Sequence, residues 1–423
     1  MALIPRGAYG GKNKFPTGIH IVSPPTKTTY TAGDQLSTAG IVIKATWSDN
    51  TETEITSECV FTPAAGTTLY ENNTQITIAW TWERTITYTA VQAITVNRVL
   101  QSIAITTKPT KLSYYKREIL NLAGMVVTAT FTSGAKEAVS ASCTTTPAAG
   151  TALPDLGSKT VTVSYTERGV TKTASFTISV SVKIVTWAAG TDAEIVDMVA
   201  AHDAGVINLQ DYWAVGQERK VRLSAMPATG VGEIHVAQTV TMVLMHAGGK
   251  KLVSGKTCAY IVGQKNGLAN GTSGEYGYMN ASNTNSGGWG SCARRKWCND
   301  VYYNAFPATI KGIFKQFRVI TANGSSADTA DNIDYFALPA EKEVFGSNSY
   351  ANSTAESSLT QFEYYKTSSN RVKKQGDSGS ANSWWERSPY SGNSSRFCGV
   401  YSDGYADLYN ASYSHLLAPF GCI

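Results

Sequence analysis

The sequence lacks a concentrated basic segment. Its net charge is +5, yet no run of basic residues is longer than Arg294-Arg295-Lys296. Phosphate binding requires a dense positive face, so nucleic acid is not expected among the partners. Charged residues are also scarce, at 16%, while 42% of the residues are apolar. This composition excludes a solvated disordered chain and indicates a globular one.

Long apolar runs are missing as well. No stretch reaches the roughly 18 apolar residues that a transmembrane helix requires, so no membrane insertion is predicted. Residues 1–18 carry no apolar core of the length found in a secretory signal. We therefore expect the chain to be made and assembled in a cytoplasm. If it works outside the cell, we expect it to leave by a route other than signal-directed secretion.

Metal-binding patterns are absent. The chain has seven cysteines and five histidines, with no C-x-x-C pair and no histidine at ligand spacing. No metal or other cofactor is predicted. Reduced, buried thiols are the main expectation, since no secretory signal points to an oxidising compartment. The alternative is a Cys398–Cys422 bridge that holds the closing segment.

Only two short fragments of the sequence resemble catalytic motifs. Residues 376–380 (GDSGS) resemble the nucleophile loop of serine proteases, and residues 200–202 (AAH) resemble their histidine segment. That chemistry requires Ser378 to donate to His202, with a buried carboxylate behind the ring. His202 instead falls on the apolar side of a predicted helix, and Ser380 replaces the final glycine. We interpret both fragments as chance matches, and no catalytic residue is predicted.

The clearest organisation that is present is a duplication at an offset of 84 residues. The matching positions include Tyr30 and Tyr114, Leu36 and Leu120, Trp47 and Phe131, Cys59 and Cys143, and the runs 62–67 and 146–151. So many matches at one offset define two tandem domains, 18–97 and 98–182, after an N-terminal arm at 1–17. One cysteine at an equivalent position of each repeat rules out a bridge within a repeat.

Each repeat has the pattern of an all-β sandwich. Alternating apolar residues indicate strands over 76–82 and over 161–165. The two runs are one position out of phase, so we expect a bulge or a one-residue slip near them. Several short strands in about 80 residues predict a sandwich. Segments 39–47 and 122–131, with the closing strands 94–96 and 178–180, resemble bacterial immunoglobulin-like domains, which implies a spacer role.

The character of the sequence changes at residue 183. Thr191 and Glu194 form a capping box, and the apolar spacing that follows predicts a helix over 192–204. Strands are predicted at 220–223 and 235–245, and a second helix at 293–304. This third region, 183–423, is therefore predicted to be an α+β domain.

A polar tract near the end has the composition of an antibody paratope. Between Ser388 and His415, 17 of 28 residues are Ser, Tyr, Gly or Asn. Tyr provides a large contact surface with little side-chain entropy to lose, and Ser, Gly and Asn provide adaptable hydrogen bonds. Two alternatives are a flexible linker and a helix with a tyrosine stripe, because Tyr401, Tyr405, Tyr409 and Tyr413 recur every fourth residue. Apolar flanks argue against a linker, and the small polar residues between the tyrosines argue against a helix.

The framework around this tract resembles a known family. The segments that carry the resemblance are 287–290 (GGWG), 338–346 (LPAEKEVFG), 384–389 (WWERSP), 396–400 (RFCGV) and 419–423 (PFGCI). Together they look like the C-type-lectin-fold domain of variable proteins diversified by retroelements, some of which carry immunoglobulin-like domains upstream. The sequence departs from the family at 416–419, and the calcium-binding lectin motifs are absent, so calcium-dependent sugar binding is not expected.

The resemblance implies a rigid fold that presents variable side chains to a ligand. The implied ligand-binding residues are Tyr390, Ser391, Asn393, Ser394, Arg396, Tyr401, Asp403, Tyr405, Asp407, Tyr409, Asn410, Tyr413 and His415. The implied structural supports are Trp384, Trp385, Arg387, Phe397 and Val400. Formylglycine-generating enzymes share the fold, but Cys398 and Cys422 lie in apolar strings and not in the polar setting of reactive cysteines. The enzyme interpretation is therefore a remote alternative.

Three functions follow from the resemblance and remain open. The first is a receptor-binding protein at a phage tail tip, located in the virion, which contacts a host cell-surface protein or glycan and other virion tail proteins. The second is a bacterial cell-surface adhesin with the same head. The third is a structural virion decoration protein whose immunoglobulin-like domains adhere. Weak binding by one Tyr-rich head leads us to expect a homotrimer, which would supply avidity.

Overall fold

The computed structural model describes residues 14–227, 235–269 and 277–423. The chain divides into two units, the first ending at Ser181 and the second beginning at Val182. The predicted N-terminal arm, 1–17, lies largely outside the described residues, and the first strand already begins at Pro16. The architecture is multidomain and mostly β, with several small sheets, and the second unit is an α+β region.

The first repeat contains eight strands. They are β1 (Pro16–Ser23), β2 (Thr29–Thr31), β3 (Val42–Trp47), β4 (Glu52–Glu54), β5 (Val60–Thr62), β6 (Gln75–Trp82), β7 (Ile86–Ala93) and β8 (Thr95–Asn97). They form the sheets β1-β3-β4 and β5-β6-β7 and the parallel pair β2-β8. Side chains from both three-stranded sheets, such as Ile43 and Ile78, share one buried core.

The second repeat is built in the same way. Its strands are β9 (Leu100–Thr107), β10 (Ser113–Tyr115), β11 (Val126–Phe131), β12 (Lys136–Ala138), β13 (Thr144–Thr146), β14 (Gly157–Glu167) and β15 (Val170–Ser181). The sheets are β12-β11-β9 and β10-β15-β14-β13. Val127 and Val163, from different sheets, are buried in its core. Each repeat also has a short 3-10 turn, at Thr56–Glu58 and Ser140–Ser142.

The predicted one-residue slip between the repeats is confirmed, but it is not a bulge. Both the β6–β7 and the β14–β15 hairpins pair without interruption. The hairpin turn has three residues in the first repeat, since Trp82 pairs with Ile86. It has two in the second, since Glu167 pairs with Val170. The second repeat therefore gains a residue before β14 and loses it again in the turn.

A buried tyrosine closes a loop in each repeat. The Tyr114 hydroxyl lies 2.8 Å from Asn121 O and 3.1 Å from Lys111 O, and it accepts the Asn121 N–H at 3.2 Å. Tyr30 makes the same contacts to Lys27 and Ser37 in the first repeat. The ring is buried and the hydroxyl satisfies backbone groups that have lost water, so its bonds stabilise the fold.

We expect Tyr114→Phe to lower the free energy of unfolding of the first unit by about 1–2 kcal/mol, because the Asn121 amide loses its partner. Urea denaturation measures this change. Tyr115→Phe is the matched control, since the neighbouring ring is 46% exposed and should change stability little. Equal effects of the two substitutions would contradict the prediction.

In its described residues, the second unit combines a five-stranded sheet with three smaller ones. Its strands are β16 (Glu218–Leu223), β17 (Gln238–Ala247), β18 (Tyr260–Gln264), β19 (Phe317–Ala322), β20 (Thr329–Asp334), β21 (Phe336–Ala337), β22 (Lys373–Lys374), β23 (Ala381–Asn382), β24 (Trp384–Pro389), β25 (Arg396–Val400), β26 (Ala406–Asn410) and β27 (Phe420–Cys422). The sheets are β16-β17-β18-β27-β21, β19-β20, β22-β23 and β24-β25-β26. Strand β27 thus lies inside the largest sheet, between β18 and β21.

The helices of the second unit are short. They are α1 (Asp192–Asp203), α2 (Gly288–Ser291), α3 (Ala293–Trp297), α4 (Tyr303–Ala305), α5 (Ala308–Lys311) and α6 (Glu341–Phe345), with a π turn at Cys298–Tyr302 and 3-10 turns at Leu209–Asp211, Glu363–Lys366 and Ser368–Arg371. The capping box of Thr191 and Glu194 at α1 is confirmed. The helix predicted at 293–304 is α3, the π turn and α4 in succession. No helix in the described part of the chain is long and apolar enough to cross a membrane.

Candidate functional site

The polar tract forms the edge of the β24-β25-β26 sheet and the loops that join its strands. Loop 390–395 connects β24 to β25, a turn at 401–405 connects β25 to β26, and residues 411–415 follow β26. In β25 and β26, Arg396 faces Asn410 and Val400 faces Ala406 across an antiparallel ladder. The alternative of a helix with a tyrosine stripe is wrong, because the four tyrosines fall on a turn, a strand and a loop.

The implied ligand-binding residues differ in exposure. Those that are exposed to solvent are Ser391, Asn393, Ser394, Arg396, Tyr401, Asp403, Tyr405 and Tyr413. Those that are partly buried are Tyr390, Asp407, Tyr409, Asn410 and His415. Three of the exposed residues carry large rings: Tyr405 is 74% exposed, Tyr413 53% and Tyr401 49%. These rings are available for contact without any rearrangement of the core.

The turn at 401–405 presents two of these rings. The Tyr401 N–H donates to Tyr405 O at 2.8 Å, and the Gly404 N–H donates to Tyr401 O at 2.9 Å. The Asp403 carboxylate accepts the Tyr405 N–H at 3.2 Å. Gly404 has a φ of 94°, in the left-handed region where a side chain is strained. The backbone of the turn is therefore held by its own hydrogen bonds and by the Asp403 carboxylate.

Tyr409 and His415 belong to an aromatic cluster with Trp385. The ring centroids of Tyr409 and His415 are 3.9 Å apart, and the His415 and Trp385 centroids are 5.0 Å apart. The Tyr409 hydroxyl donates to Ser383 Oγ at 3.0 Å. A Cβ on Gly399 would lie 2.8 Å from the Tyr409 ring, so this ring needs a glycine beneath it. Tyr409 and His415 thus contribute more to the floor of the site than the exposed tyrosines do.

His415 is neutral in this cluster at physiological pH. Burial lowers its pKa to about 4, and the nearby Asp407 charge opposes the shift without reversing it. Its Nε2 is buried and has no hydrogen-bond partner among the described residues. An uncharged ring at this position packs against Tyr409 without the cost of a buried cation.

The five residues implied as supports are all buried. Trp384, Trp385, Arg387, Phe397 and Val400 each have 0% exposure. Arg387 makes two hydrogen bonds to the Glu343 carboxylate, and Lys250 Nζ also contacts it. Burial alone would raise the pKa of Glu343, but the charges of Arg387 and Lys250 outweigh it and bring the pKa to about 2. The strand beneath the tract is therefore fixed by an ionised buried network.

A loop that the sequence analysis did not select holds one end of the tract. The Glu341 carboxylate accepts the N–H groups of Ser349, Tyr350 and Ala351. Tyr350 O in turn accepts the Ser391 hydroxyl at 2.8 Å. The rings of Tyr350 and Tyr390 meet edge to face, with centroids 6.2 Å apart. Tyr350 thus extends the aromatic surface beyond the tract.

A second missed segment, residues 277–285, supports the other side. Gly277 O accepts the Trp385 indole N–H at 2.8 Å and the His415 N–H at 3.1 Å. Asn283 Oδ1 accepts the Ser412 hydroxyl at 2.6 Å. Asparagine recurs in this segment, at 280, 283 and 285, and this is the one sequence feature that could have indicated its role. Asparagine is equally common in ordinary turns, so the feature is not specific.

The fragments that resembled protease motifs do not come together in the described residues. His202 Nδ1 accepts the Leu209 N–H at 3.3 Å, and no hydrogen bond joins its ring to Ser378. The Asp377 carboxylate instead accepts the Thr241 hydroxyl and the Asn266 amide. Over residues 14–227, 235–269 and 277–423, no group of three His, Cys, Asp or Glu side chains is placed to hold a metal ion.

All seven cysteines are free thiols, so the alternative Cys398–Cys422 bridge is not formed. The Cys398 thiol lies 3.9 Å from the Glu341 carboxylate in the core beneath the tract. Burial, followed by the nearby carboxylates, raises its pKa well above the usual range. The thiol is therefore in its protonated, weakly reactive form.

Comparison with known proteins finds a family model that matches part of the second unit. Residues 249–419 match a family described as "Domain of unknown function (DUF6273)". This span contains the strands β24, β25 and β26 and every implied ligand-binding residue. No curated protein matches the chain.

Two solved structures of the S-layer protein SbsC are similar to parts of the chain. Domains 4 and 5 are 17% identical, over 39% of this chain and 98% of that one, with a TM-score of 0.17. Domains 4–9 are 14% identical, over 61% of this chain and 40% of that one, also with a TM-score of 0.17. At such TM-scores neither similarity carries an argument about fold or function.

Proposed function

We propose that the second unit is a ligand-binding head that contacts its partner through the 390–415 tract. The observation that carries this proposal is the exposure of Tyr401, Tyr405 and Tyr413 on a sheet whose strand β24 is buried throughout and whose strand β25 is buried apart from Arg396. Side chains of this type, held on a fixed backbone, lose little entropy on binding. Arg396 and Asp403 add opposite charges at the two ends of the β25–β26 hairpin, which favours a polar partner surface.

The resemblance of the framework extends this proposal to a class of protein. The head is then a C-type-lectin-fold variable domain, and the two repeats are immunoglobulin-like spacers that carry it. Its partner is a host cell-surface protein or glycan, contacted from a phage tail tip. The buried network of Arg387, Glu343 and Lys250 supports this view. The residues that hold the fold are then different from the exposed residues that would face a partner. An adhesin on a bacterial cell surface would use the same head and the same residues.

The test replaces the three exposed rings together. We expect Tyr401→Ala with Tyr405→Ala and Tyr413→Ala to weaken binding to intact bacterial cells by roughly 30-fold or more, since exposed aromatic residues dominate interfaces of this kind. The probe is fluorescently labelled protein titrated onto a panel of bacterial strains and read by flow cytometry. The strain that binds the wild-type protein most tightly is used for all variants.

The matched control removes two tyrosines of similar exposure outside the tract, Tyr115→Ala with Tyr212→Ala, which are 46% and 42% exposed. It should bind as the wild type does. Equal losses in the control and the triple variant would contradict a site at the tract. Attachment by a fragment of residues 1–181 alone would instead assign adhesion to the repeats.

A further inference from the structure

One side chain outside the tract organises the backbone of its first loop. Asn285 is fully buried. Its Nδ2 amide lies 2.8 Å from Asn393 O, 2.8 Å from Arg396 O and 3.2 Å from Tyr390 O, so its two N–H groups serve three carbonyls and one N–H is shared. Its backbone N–H donates to Ser394 O at 2.7 Å. Four carbonyls between Tyr390 and Arg396 therefore converge on a single residue that lies more than a hundred positions earlier in the sequence.

The loop turns its backbone inward and its side chains outward. Tyr390 N–H donates to Arg396 O at 3.1 Å, which closes the loop at its base. Ser391, Asn393 and Ser394 are exposed, although the carbonyls of Asn393 and Ser394 point toward Asn285. The contacts with Asn285 thus involve the main chain of the loop. Two of the loop's own side chains add to them: the Ser391 hydroxyl donates to Tyr350 O, and Asn393 Oδ1 accepts the Ser395 N–H at 2.7 Å.

An asparagine suits this position for a chemical reason. Buried carbonyls require donors, and a primary amide supplies two N–H groups without a charge. Aspartate would present a carboxylate oxygen to the same carbonyls. The opposite orientation of the amide would do the same with Oδ1, so the surrounding carbonyls define which atom is nitrogen. Oδ1 itself is buried and has no partner among the described residues, which indicates that the residue serves through its donors.

We infer that Asn285 is a positioning residue for the proposed ligand-binding surface. It holds the main chain of residues 390–396 in one conformation before a ligand arrives. This inference rests on the proposed function for its link to binding. Preorganisation of a loop raises affinity because less conformational entropy is lost when the complex forms.

The first measurement needs no ligand. Hydrogen exchange of backbone amides, followed by mass spectrometry, compares the full-length wild type with Asn285→Ala and Asn285→Asp. We expect exchange in peptides covering 390–396 to accelerate at least tenfold in both variants, while strand β24 stays protected. Asn299→Ala is the matched control: it removes another amide that donates to backbone carbonyls, those of Arg295 and Phe336, away from the tract. It should leave 390–396 unchanged.

Two exchange results would overturn the inference. Unchanged exchange in 390–396 would show that Asn285 does not hold the loop. Equal acceleration in 390–396 and in β24 would show a general role in stability and no specific positioning. Asn285→Asp keeps the size of the side chain, so it separates the loss of donors from the cavity that alanine leaves.

The second measurement is cell binding, with the strain and labelled protein of the tyrosine experiment. We expect Asn285→Asp to weaken binding about tenfold. If its binding equals that of the wild type while the triple tyrosine variant fails to bind, the loop is not part of the site and the positioning role in binding is wrong. If the triple variant also binds normally, the proposed function fails, and the exchange result alone decides whether Asn285 holds the loop.

Discussion

Replacing Arg387 with methionine is expected to lower the free energy of unfolding of the second unit by about 3–5 kcal/mol, as for other buried ion pairs that lose one partner. The guanidinium is completely buried and makes two hydrogen bonds to Glu343 and one, at 2.9 Å, to Leu338 O. Without it, Glu343 keeps only Lys250 and the Ala340 N–H as partners. A buried carboxylate with fewer partners is costly because it has already lost its water.

Urea denaturation followed by far-UV circular dichroism measures the effect. Arg318→Met is the control, because Arg318 pairs with Asp331 at the surface, where ion pairs contribute about 0–1 kcal/mol. The triple variant Arg387→Met with Glu343→Gln and Lys250→Met should regain part of the loss, since all three buried charges are then removed. A change below 1 kcal/mol for Arg387→Met alone would show that the network contributes little.

The stability of the second unit is expected to fall by about 3 kcal/mol as the pH rises from 4.5 to 7, through Glu356 alone. This carboxyl group is completely buried, 2.5 Å from the Ser388 hydroxyl and 3.1 Å from the Asn348 amide. Burial raises its pKa to about 7, against the opposing effect of Arg387. The folded chain then keeps a proton that the unfolded chain releases near pH 4.5, so rising pH favours unfolding across this interval.

Two other buried carboxyl groups also make the stability of the second unit depend on pH. Burial raises the pKa of Glu386 in the same sense, which extends the decline to higher pH. Glu343, with its pKa near 2, contributes stability that is present above pH 4.5 and is lost as the pH falls toward 2. His415, whose pKa burial lowers to about 4, acts in the opposite sense: the unfolded chain binds a proton that the folded ring does not, so its contribution to stability rises with pH between about 4 and 6.5. The effect of Glu356 is therefore measured against a variant and not from the wild-type profile alone.

The variant Glu356→Gln isolates the contribution of one group. Denaturation is measured at several pH values between 4.5 and 8 for both proteins. The free energy of unfolding of the wild type should fall relative to that of Glu356→Gln by about 3 kcal/mol as the pH rises from 4.5 to 7. Glu363→Gln, at an exposed glutamate of the same unit, should follow the wild-type profile. If the Glu356→Gln and wild-type profiles run parallel, the carboxyl group is ionised in the folded protein and the prediction fails.

The parts of the fold that depend on local patterns could be predicted from the sequence. The alternation at 76–82 and 161–165 gave β6 and β14, because a period of two places one face in a core. The capping box of Thr191 and Glu194 marked the start of α1 correctly. The repeat offset even located the slip, although the sequence could not show that a hairpin turn compensates for it.

The support of the candidate site could not be predicted, because it depends on contacts between distant segments. Asn285 reaches residues 105 to 111 positions away, and nothing in its neighbours distinguishes it from a turn asparagine. Composition also cannot distinguish the exposed Tyr405 from the partly buried Tyr409. Their difference arises from Gly399, which lets the Tyr409 ring lie across the strand, and from the turn that lifts Tyr405 away.

The position of β27 has a consequence for the order in which the second unit forms. Residues 420–422 pair with Ile261–Gly263 on one side and with Phe336–Ala337 on the other, so they join strands made much earlier in synthesis. Until they leave the ribosome, β18 and β21 each lack a neighbour, and pairing over such separations is slow. The nascent second unit therefore exposes open strand edges while the whole tract is translated, and such edges are where a chain aggregates.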